Sequence, residues 1–199
     1  MKNLGITQNI IKNNYGNTLL SLDANWFLFA MKAGFNLIAL PYEKKLLKEF
    51  LNKNYLNGLI LSGGNSLIEC NGEYKLRDEM EMFLLQMSKK KKLPVLGVCR
   101  GMQMMHKYYK GKFERIKNHA GTKVEIFSKK KKRFVNSYHD WSIKDLRNVF
   151  EITSKSKDGV IKSMAHKSYQ WYGIMWHPER NLPFSNEDVK FIKRIFSKV

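Results

Sequence analysis

The sequence predicts an α/β protein with three layers (α/β/α), in which helices cover both faces of a mainly parallel central sheet that is extended by antiparallel strands. In the first half, short apolar runs alternate with amphipathic helical patterns, as in parallel strands that are buried on both faces. In the second half, strand patterns follow one another without helices between them. A chain of 199 residues with 43% hydrophobic residues can bury one core, so we expect 1–199 to form a single domain.

The elements of the first half follow from apolar spacing and capping residues. Asp23 is a favoured N-cap, and Gly34 is a typical residue just after a helix, so these two residues delimit the first helix. The expected order is strand 4–11, helix 24–33, strand 36–40, helix 43–54, strand 59–61, helix 76–88, strand 94–98 and helix 100–109.

The second half is expected to contain five strands and a final helix. These elements are strands 124–127, 133–138, 150–153, 160–164 and 172–176, and helix 186–196. Four lysines at 129–132 lie between two of the strands, so we interpret them as a charged turn. The lysines at 89–92 follow helix 76–88, and cations favour a helix C-terminus.

Composition excludes several classes of protein. No apolar run approaches the roughly 20 residues that a membrane-spanning helix needs, and residues 1–6 do not begin an apolar secretory signal. The chain has two cysteines, Cys70 and Cys99, which excludes a disulfide scaffold and fits free thiols in a reducing compartment. We therefore expect a cytoplasmic protein that does not bind a membrane.

The formal net charge of +19 is unusually high. Such a charge is typical of proteins that bind nucleic acid or another anion. However, 29 of the 36 basic residues are lysine, whereas proteins that read bases depend on arginine. Neither lysine block contains aromatic residues that could stack on bases. We expect no nucleic-acid partner, and the charge can be either functional or compositional.

A nucleophile motif lies at the junction of strand 94–98 and helix 100–109. Gly97 and Gly101 flank Cys99 at two residues on each side, as in the G-x-nucleophile-x-G elbow. Cys99 would lie at a helix N-terminus, where the dipole favours a thiolate and free N–H groups can bind an oxyanion. A free cysteine is more often a small buried hydrophobic residue, but the strand before it and the helix after it favour a nucleophile.

His177 and Glu179 are the candidate base and its orienting acid. They follow the apolar strand 172–176, and a carboxylate can fix the tautomer of an imidazole and stabilise the imidazolium. Sites in open α/β sheets lie at the carboxyl ends of the strands, where Cys99 and His177 can meet. The pattern H-x-E is weak alone, and beside the elbow it completes a Cys-His-Glu set. The five histidines and two cysteines show no zinc spacing, so we expect no metal and no cofactor.

A third segment, Ser62-Gly63-Gly64, also ends a predicted parallel strand. Two glycines allow the backbone to turn its N–H groups toward a ligand. The segment is either an ordinary loop or the second half of an oxyanion hole, of which the N–H of Arg100 would be the first half.

These segments, in this order, resemble the class I glutamine amidotransferase superfamily, and within it the stand-alone γ-glutamyl hydrolases. The matching pieces are L-S-G-G-N-S at 61–66, R-D-E-M-E at 77–81, P-V-L-G-V-C-R-G-M-Q at 94–103, V-N-S-Y-H at 135–139, D-G at 158–159 and G-I-M-W-H-P-E at 173–179. The resemblance covers nearly the whole chain, and it implies a flavodoxin-like sheet.

The resemblance also implies roles for individual residues. Cys99 would be the nucleophile, His177 the base and Glu179 the orienting acid. The substrate-binding residues would be Gly63, Gly64, Arg100, Gln103, Asn136, Ser137, Tyr138 and His139. Among them, Gly64 and Arg100 would offer backbone N–H groups to the oxyanion, and Gln103 would lie near the γ-glutamyl group.

Two departures concern the leaving group. Many hydrolases of this kind carry paired histidines where this chain has Tyr138-His139-Asp140-Trp141, and the loop after Gly64 is shorter than usual. A standard polyamine-pathway substrate is therefore in doubt. Because this chain is small and rich in lysine, the resemblance implies a different substrate. That substrate is an anionic γ-glutamyl nucleotide amidate, which is used in the synthesis of capsule phosphoramidate. A basic cleft would attract its diphosphate.

Three alternatives stay open. The same triad would serve a glutaminase subunit that delivers ammonia to a partner synthetase, although this chain carries no appended synthetase domain. It would also serve a hydrolase of γ-glutamyl-polyamine or γ-glutamyl-aminobutyrate. A non-catalytic basic module on the same fold is the least compatible with an intact Cys99, His177 and Glu179.

Overall fold

The computed structural model describes residues 1–53, 55–129 and 131–197. The strands are β1 Lys2–Ile6, β2 Asn9–Lys12, β3 Thr18–Ser21, β4 Phe35–Ala39, β5 Gly58–Leu61, β6 Val95–Val98, β7 Phe113–Arg115, β8 Ala120–Ser128, β9 Lys132–Tyr138, β10 Trp141–Ile143, β11 Phe150–Ser156, β12 Ile161–His166 and β13 Trp171–Ile174. The helices are α1 Asn25–Lys32, α2 Lys44–Lys53, α3 Lys75–Lys91, α4 Arg100–Tyr108 and α5 Asn186–Phe196, with short 3₁₀ helices at Ile68–Cys70 and Pro178–Arg180.

Nine strands form one sheet, in the order β4-β1-β5-β6-β13-β12-β11-β8-β9. The strands from β4 to β13 are parallel, and those from β13 to β9 are antiparallel. This confirms the predicted parallel sheet with antiparallel strands added at one edge. The pairing of β13 with β6 matters most for the site, because it places Ile174 opposite Val98, so both strands end at the same edge.

Helices cover both faces of the parallel part. Lysines of α2 lie over Phe83 of α3, and α3 contacts α4, which packs on β5, β6 and β13. On the other face, Phe196 of α5 packs edge-to-face on Phe35 at 5.8 Å between ring centroids. A Cβ at Gly58 would lie 2.4 Å from the ring of Phe196, so only glycine allows α5 this close to β5.

One apolar cluster extends from Leu4 near the start of the chain to Phe196 near its end. This continuity supports our proposal that 1–199 form a single domain. Among the described residues, no helix is both long enough and apolar enough to span a lipid bilayer.

The predicted strand 4–11 is wrong in one respect, because the structure divides it into β1 and β2. Thr7 lies at the break, where its side-chain oxygen accepts from the N–H of Ser62 at 3.0 Å, and Ser62 Oγ donates to the Thr7 carbonyl at 2.7 Å. β2 then pairs with β3 in a separate hairpin, and β3 was not predicted because its residues are largely exposed.

The remaining differences are small. β7 and β10 form a second two-stranded sheet that sequence patterns did not indicate. The predicted helix 43–54 is observed as α2, with Asn54 outside the described residues. The predicted charged turn lies between Ser128, the end of β8, and Lys132, the first residue of β9, and Lys130 lies outside the described residues.

The close packing of α4 on β5 predicts a large cost for adding one methyl group at Gly101. A Cβ there would lie 2.0 Å from the carbonyl oxygen of Leu61, which is backbone and cannot rotate away. We expect Gly101→Ala to lower the free energy of unfolding by about 3 kcal/mol. The measurement is urea denaturation followed by circular dichroism.

Gly121→Ala is the matched control, because a Cβ at Gly121 meets nothing within 4 Å and only the positive φ of 69° opposes it. That backbone strain costs about 1–2 kcal/mol. If both variants lose the same free energy of unfolding, the predicted collision with the Leu61 carbonyl is wrong.

Candidate active site

Cys99 forms a strained turn between β6 and α4. Its backbone has φ 52° and ψ −105°, which is unfavourable for any residue with a Cβ. The N–H of Cys99 donates to the carbonyl of Ile174 at 2.7 Å, so β13 holds the turn from one side. Cys99 is the N-cap of α4, and the thiol therefore lies at the positive end of the helix dipole.

The glycines of the elbow are required by contacts of the backbone. A Cβ at Gly97 would lie 2.6 Å from backbone atoms of Gly101. The first turn of α4 therefore lies directly on the end of β6, and this close approach explains why small residues flank the nucleophile on both sides.

His177 and Glu179 lie beside Cys99, as predicted. The His177 Nδ1–H donates to Glu179 Oε1 at 2.7 Å, and both side chains are only 2% exposed. The His177 ring also interacts with Cys99, which raises the pKa of the imidazole. A Cβ at Gly63 would lie 2.4 Å from His177 Cε1, so Gly63 leaves the space that the imidazole occupies. The imidazole therefore interacts with both a carboxylate and a thiol.

This arrangement changes the protonation of the imidazole. Burial alone would lower the pKa of His177, but the hydrogen bonds and negative charges of Cys99 and Glu179 raise it to about 9. His177 is therefore an imidazolium at neutral pH, and an imidazolium beside a thiol favours the thiolate.

The loop of Gly63 and Gly64 is held by a buried arginine. Arg77 Nη2 donates to the carbonyls of Ser62 at 2.8 Å and Gly63 at 2.9 Å. Gly64 has φ 107°, and a Cβ there would lie 1.8 Å from Asn9 Oδ1. Asn9 in turn accepts the N–H of the next residue at 2.9 Å. The carbonyls of this loop therefore point toward Arg77, which orients its peptide planes.

Arg100 belongs to the same ionic network. Its guanidinium is 1% exposed and pairs with both Glu81 and Asp78 of α3, and Glu81 also pairs with Arg77 at 3.1 Å. The side chain of Arg100 is thus occupied inside the protein and does not reach a substrate. Only its backbone N–H, at the first position of α4, is available for the predicted oxyanion role.

Asn136 anchors His177 instead of extending into the site. Its Oδ1 accepts from the N–H of His177 at 2.8 Å, and its Nδ2 donates to the carbonyl of His177 at 2.8 Å and to Asn181 Oδ1 at 3.0 Å. The amide therefore fixes the backbone of the base from β9, which differs from the predicted contact with substrate.

The other predicted substrate-binding residues differ in how far they are exposed. Gln103 is buried and donates to the carbonyl of Trp141 at 2.9 Å. Tyr138 is 46% exposed, and its ring packs edge-on against His177 at 5.7 Å. Ser137 and His139 are buried and accept hydrogen bonds from Lys162. Of these four, Tyr138 is the one that faces solvent at the site.

Sequence reasoning missed two residues that organise the site, Arg77 and Lys162. The structure buries both almost completely. Arg77 belongs to a matching family segment, but its contact with the loop at Ser62 could not be read from spacing. Lys162 left one signal, a lysine within the strand pattern 160–164, whose other residues are apolar except Ser163. Within the described ranges, no group of three or more His, Cys, Asp or Glu side chains is arranged to hold a metal ion.

Comparisons with known proteins show similarity over most of the chain. The family model described as glutamine amidotransferase class-I matches residues 20–198. A Campylobacter jejuni protein named gamma-glutamyl-CDP-amidate hydrolase is 33% identical over 98% of both chains. A Methanococcus maripaludis protein, named as one component of the glutamine-hydrolyzing GMP synthase, is 27% identical over 67% of this chain and 69% of its own.

The fold has a close counterpart among solved structures. A Thermoplasma acidophilum structure, assigned provisionally to one component of GMP synthase, aligns with a TM-score of 0.76 and 16% identity, covering 99% of this chain and 93% of the other. At this identity the match supports the fold alone, and it confirms the predicted class of sheet.

The two cysteines should differ sharply in reactivity. Burial, with the nearby charge of Glu69, raises the pKa of Cys70 to about 12, whereas Cys99 lies beside an imidazolium. We expect iodoacetamide to label Cys99 at neutral pH while Cys70 stays unmodified, as measured by peptide mass spectrometry. Labelling of Cys70 at a similar rate would contradict this assignment.

Removal of the base should cost more than removal of its orienting acid. We expect His177→Ala to lower kcat/KM at least about 10⁴-fold and Glu179→Gln about 10²-fold to 10³-fold. Glu179→Gln removes a charge that keeps His177 protonated, so the alkaline limb of the pH profile should move to lower pH. A larger loss in Glu179→Gln than in His177→Ala would reverse the two roles.

Proposed function

Because the chain belongs to the class I glutamine amidotransferase family, we propose that it is a cysteine hydrolase that cleaves a γ-glutamyl amide bond and releases L-glutamate. The specific substrate that we propose is γ-glutamyl-CDP-amidate, in the synthesis of capsule phosphoramidate. The observation that carries this proposal is the 33% identity to the Campylobacter jejuni hydrolase over 98% of both chains.

The geometry supports a two-step mechanism with Cys99, His177 and Glu179 as the triad. The Cys99 thiolate attacks the γ-carbonyl carbon, and the backbone N–H groups of Gly64 and Arg100 bind the oxyanion that forms. His177 then donates its proton to the departing nitrogen as the C–N bond breaks. The products of this step are a γ-glutamyl thioester on Cys99 and the free amidate.

The second step hydrolyses the thioester. His177, now neutral, takes a proton from water as the water oxygen attacks the thioester carbon. Collapse of the tetrahedral intermediate releases glutamate and restores the thiolate and the imidazolium. Glu179 keeps its hydrogen bond to Nδ1 throughout, so that the other ring nitrogen exchanges the proton. No step in this scheme needs a metal or a cofactor.

Tyr138 and Arg180 are our candidates for contact with the leaving group. The Arg180 guanidinium lies 4.9 Å from the Tyr138 ring centroid, and its side chain is 36% exposed. The two side chains form an exposed cationic and aromatic surface next to His177, which protonates the leaving nitrogen. Arginine is suited to bind a diphosphate through charge-assisted hydrogen bonds.

The main alternative is a glutaminase subunit that delivers ammonia to a synthetase. The GMP synthase relatives support this alternative less strongly than the Campylobacter jejuni protein supports a hydrolase, because the Methanococcus maripaludis protein aligns with only 67% of this chain. We propose a free-standing cytoplasmic enzyme without a nucleic-acid partner. Both cysteines are free, as expected in a reducing compartment.

The choice of substrate can be tested by kinetics at two salt concentrations. We expect kcat/KM for γ-glutamyl-CDP-amidate to exceed that for glutamine, and to fall as salt rises because the diphosphate is attracted by exposed charges that salt screens. Glutamine lacks this charge, so its kcat/KM should change little. Faster turnover of glutamine, or identical salt curves, would leave only a general γ-glutamyl hydrolase.

Arg180→Gln tests the leaving-group contact directly. We expect KM for the nucleotide substrate to rise about tenfold, in line with the loss of one or two charge-assisted hydrogen bonds. Glutamine turnover should fall by less, because Arg180 Nε also lies 3.8 Å from Glu179 Oε1. Arg194→Gln is the matched control, because Arg194 also stacks on an aromatic ring, Phe191 at 5.6 Å. Arg194 belongs to α5, which packs on the other face of the sheet from α4. An equal effect of both variants would exclude a specific contact.

A further inference from the structure

Lys162 lies in the interior beside the candidate active site, where three acceptors surround its ammonium group. The residue is 1% exposed. Its Nζ lies 2.9 Å from His119 Nδ1, 3.0 Å from Ser137 Oγ and 2.7 Å from His139 Nε2. Each of the three N–H bonds of the ammonium therefore has a partner, which is the condition for holding a charged lysine in a protein interior.

The partners of the two histidines show where the protons are. His139 Nδ1 lies 3.0 Å from the carbonyl of Trp141, and a carbonyl only accepts, so the proton is on Nδ1 and Nε2 accepts from Lys162. His119 Nε2 lies 2.8 Å from the Asp158 carboxylate, so its Nδ1 likewise accepts. In this arrangement the Lys162 ammonium is the donor in all three contacts.

The strands bring this charge toward Cys99. The carbonyl of Lys162 accepts from the N–H of Met175, and the carbonyl of Ile174 accepts from the N–H of Cys99. Lys162 and Cys99 are thus two strands apart at the same level of the sheet, with backbones about 10 Å apart. The ammonium group also contacts His139 at 2.7 Å, and the residue before it, Tyr138, packs edge-on against the ring of His177 at 5.7 Å.

We propose that Lys162 is a positioning residue whose buried ammonium charge stabilises the Cys99 thiolate through space. Its hydrogen bonds also hold Ser137 and His139 in place at the end of β9. This inference rests on Cys99 as the nucleophile of the proposed function, and it does not depend on the identity of the leaving group.

The charges around Lys162 agree with this role. Burial lowers the pKa of Lys162 to about 8, and the negative charges of Asp158 and Cys99 oppose that shift. Burial and the neighbouring Lys162 charge lower the pKa of His139 to about 3, so this ring stays neutral. The titratable groups that face Lys162 are His119, His139, Asp158 and Cys99, with His177 beyond His139.

The first test measures the pH dependence of Cys99 alkylation by iodoacetamide. Lys162→Met removes the charge and keeps an unbranched side chain, so we expect the midpoint of alkylation to rise by about one pH unit or more. At a pH below both midpoints, Cys99 in Lys162→Met should be alkylated about tenfold more slowly than Cys99 in the parent protein. Identical pH profiles for the parent protein and Lys162→Met would overturn the proposal.

Lys155→Met is the matched control. Lys155 lies in β11, opposite Ile161, and its side chain is exposed. This variant removes the same charge from the neighbouring strand, but solvent screens that charge. We expect its alkylation profile to match that of the parent. A shift as large as that of Lys162→Met would show that net charge, and not the buried site, controls the thiolate.

The second test uses the reciprocity of the interaction, because two charges that stabilise each other must shift each other's pKa. In protein labelled with ¹³Cε lysine, we expect the Lys162 signal to have a lowered midpoint, near pH 8. Cys99→Ser removes the thiolate, so we expect the Lys162 midpoint to fall. An unchanged midpoint would contradict the proposal even if Lys162→Met does not fold.

Neither measurement uses a γ-glutamyl substrate. Failure to hydrolyse γ-glutamyl-CDP-amidate would count against the proposed function and leave the alkylation and NMR results intact. Conversely, if the protein hydrolyses the substrate but the alkylation and NMR profiles do not shift, the proposed function stands and only the proposed role of Lys162 is wrong.

Discussion

The positive φ of Cys99 is the constraint around which the site is arranged. A residue with a side chain in this conformation costs on the order of 1–3 kcal/mol, so the surroundings must hold it in place. The backbone of α4 lies against Leu61 at Gly101, and the carbonyl of Ile174 fixes the N–H of Cys99. The residue after the turn, Arg100, is tied to α3 through Glu81. Because Glu81 also pairs with Arg77, which holds the Gly63 loop, one buried network positions both halves of the candidate oxyanion site.

The sequence predicted most of this arrangement, and most of its failures share one physical cause. Strands, helices and the elbow depend on residues near each other in the chain, so spacing indicates them. The role of Asn136 depends on His177, 41 residues away, and no local pattern reveals that contact. In the same way, β1 and β2 separate where Thr7 binds Ser62, a partner 55 residues distant. The exposed hairpin of β2 and β3 lacks the alternation of a half-buried strand, so nothing in its composition distinguished β3 from a loop.

The net charge of +19 and the chemistry of the site are largely separate properties. The lysines at 89–92 are exposed at the end of α3, as expected for a solvated helix end. Of the lysines that the structure describes, Lys162 is the one whose whole residue is buried. Two of the seven arginines, Arg77 and Arg100, are likewise buried, and both are paired with carboxylates. The surface charge can attract an anionic substrate, whereas these few interior charges act inside the protein, around the site.

The interior charges differ in how completely they are neutralised, and this difference explains their separate roles. Arg77 and Arg100 contact the carboxylates of Glu81 and Asp78 directly, so their charges largely cancel and their effect is to fix geometry. The three hydrogen-bond partners of Lys162 are two imidazoles and a hydroxyl, and the Asp158 carboxylate is one imidazole away with 59% of its side chain exposed. A charge without a close counterion acts over a longer range in a medium of low dielectric constant. Lysine also suits this position because its pKa can approach neutrality when it is buried, whereas arginine stays charged. The site thus combines a neutral network that holds the backbone with one uncancelled cation that acts on the thiolate.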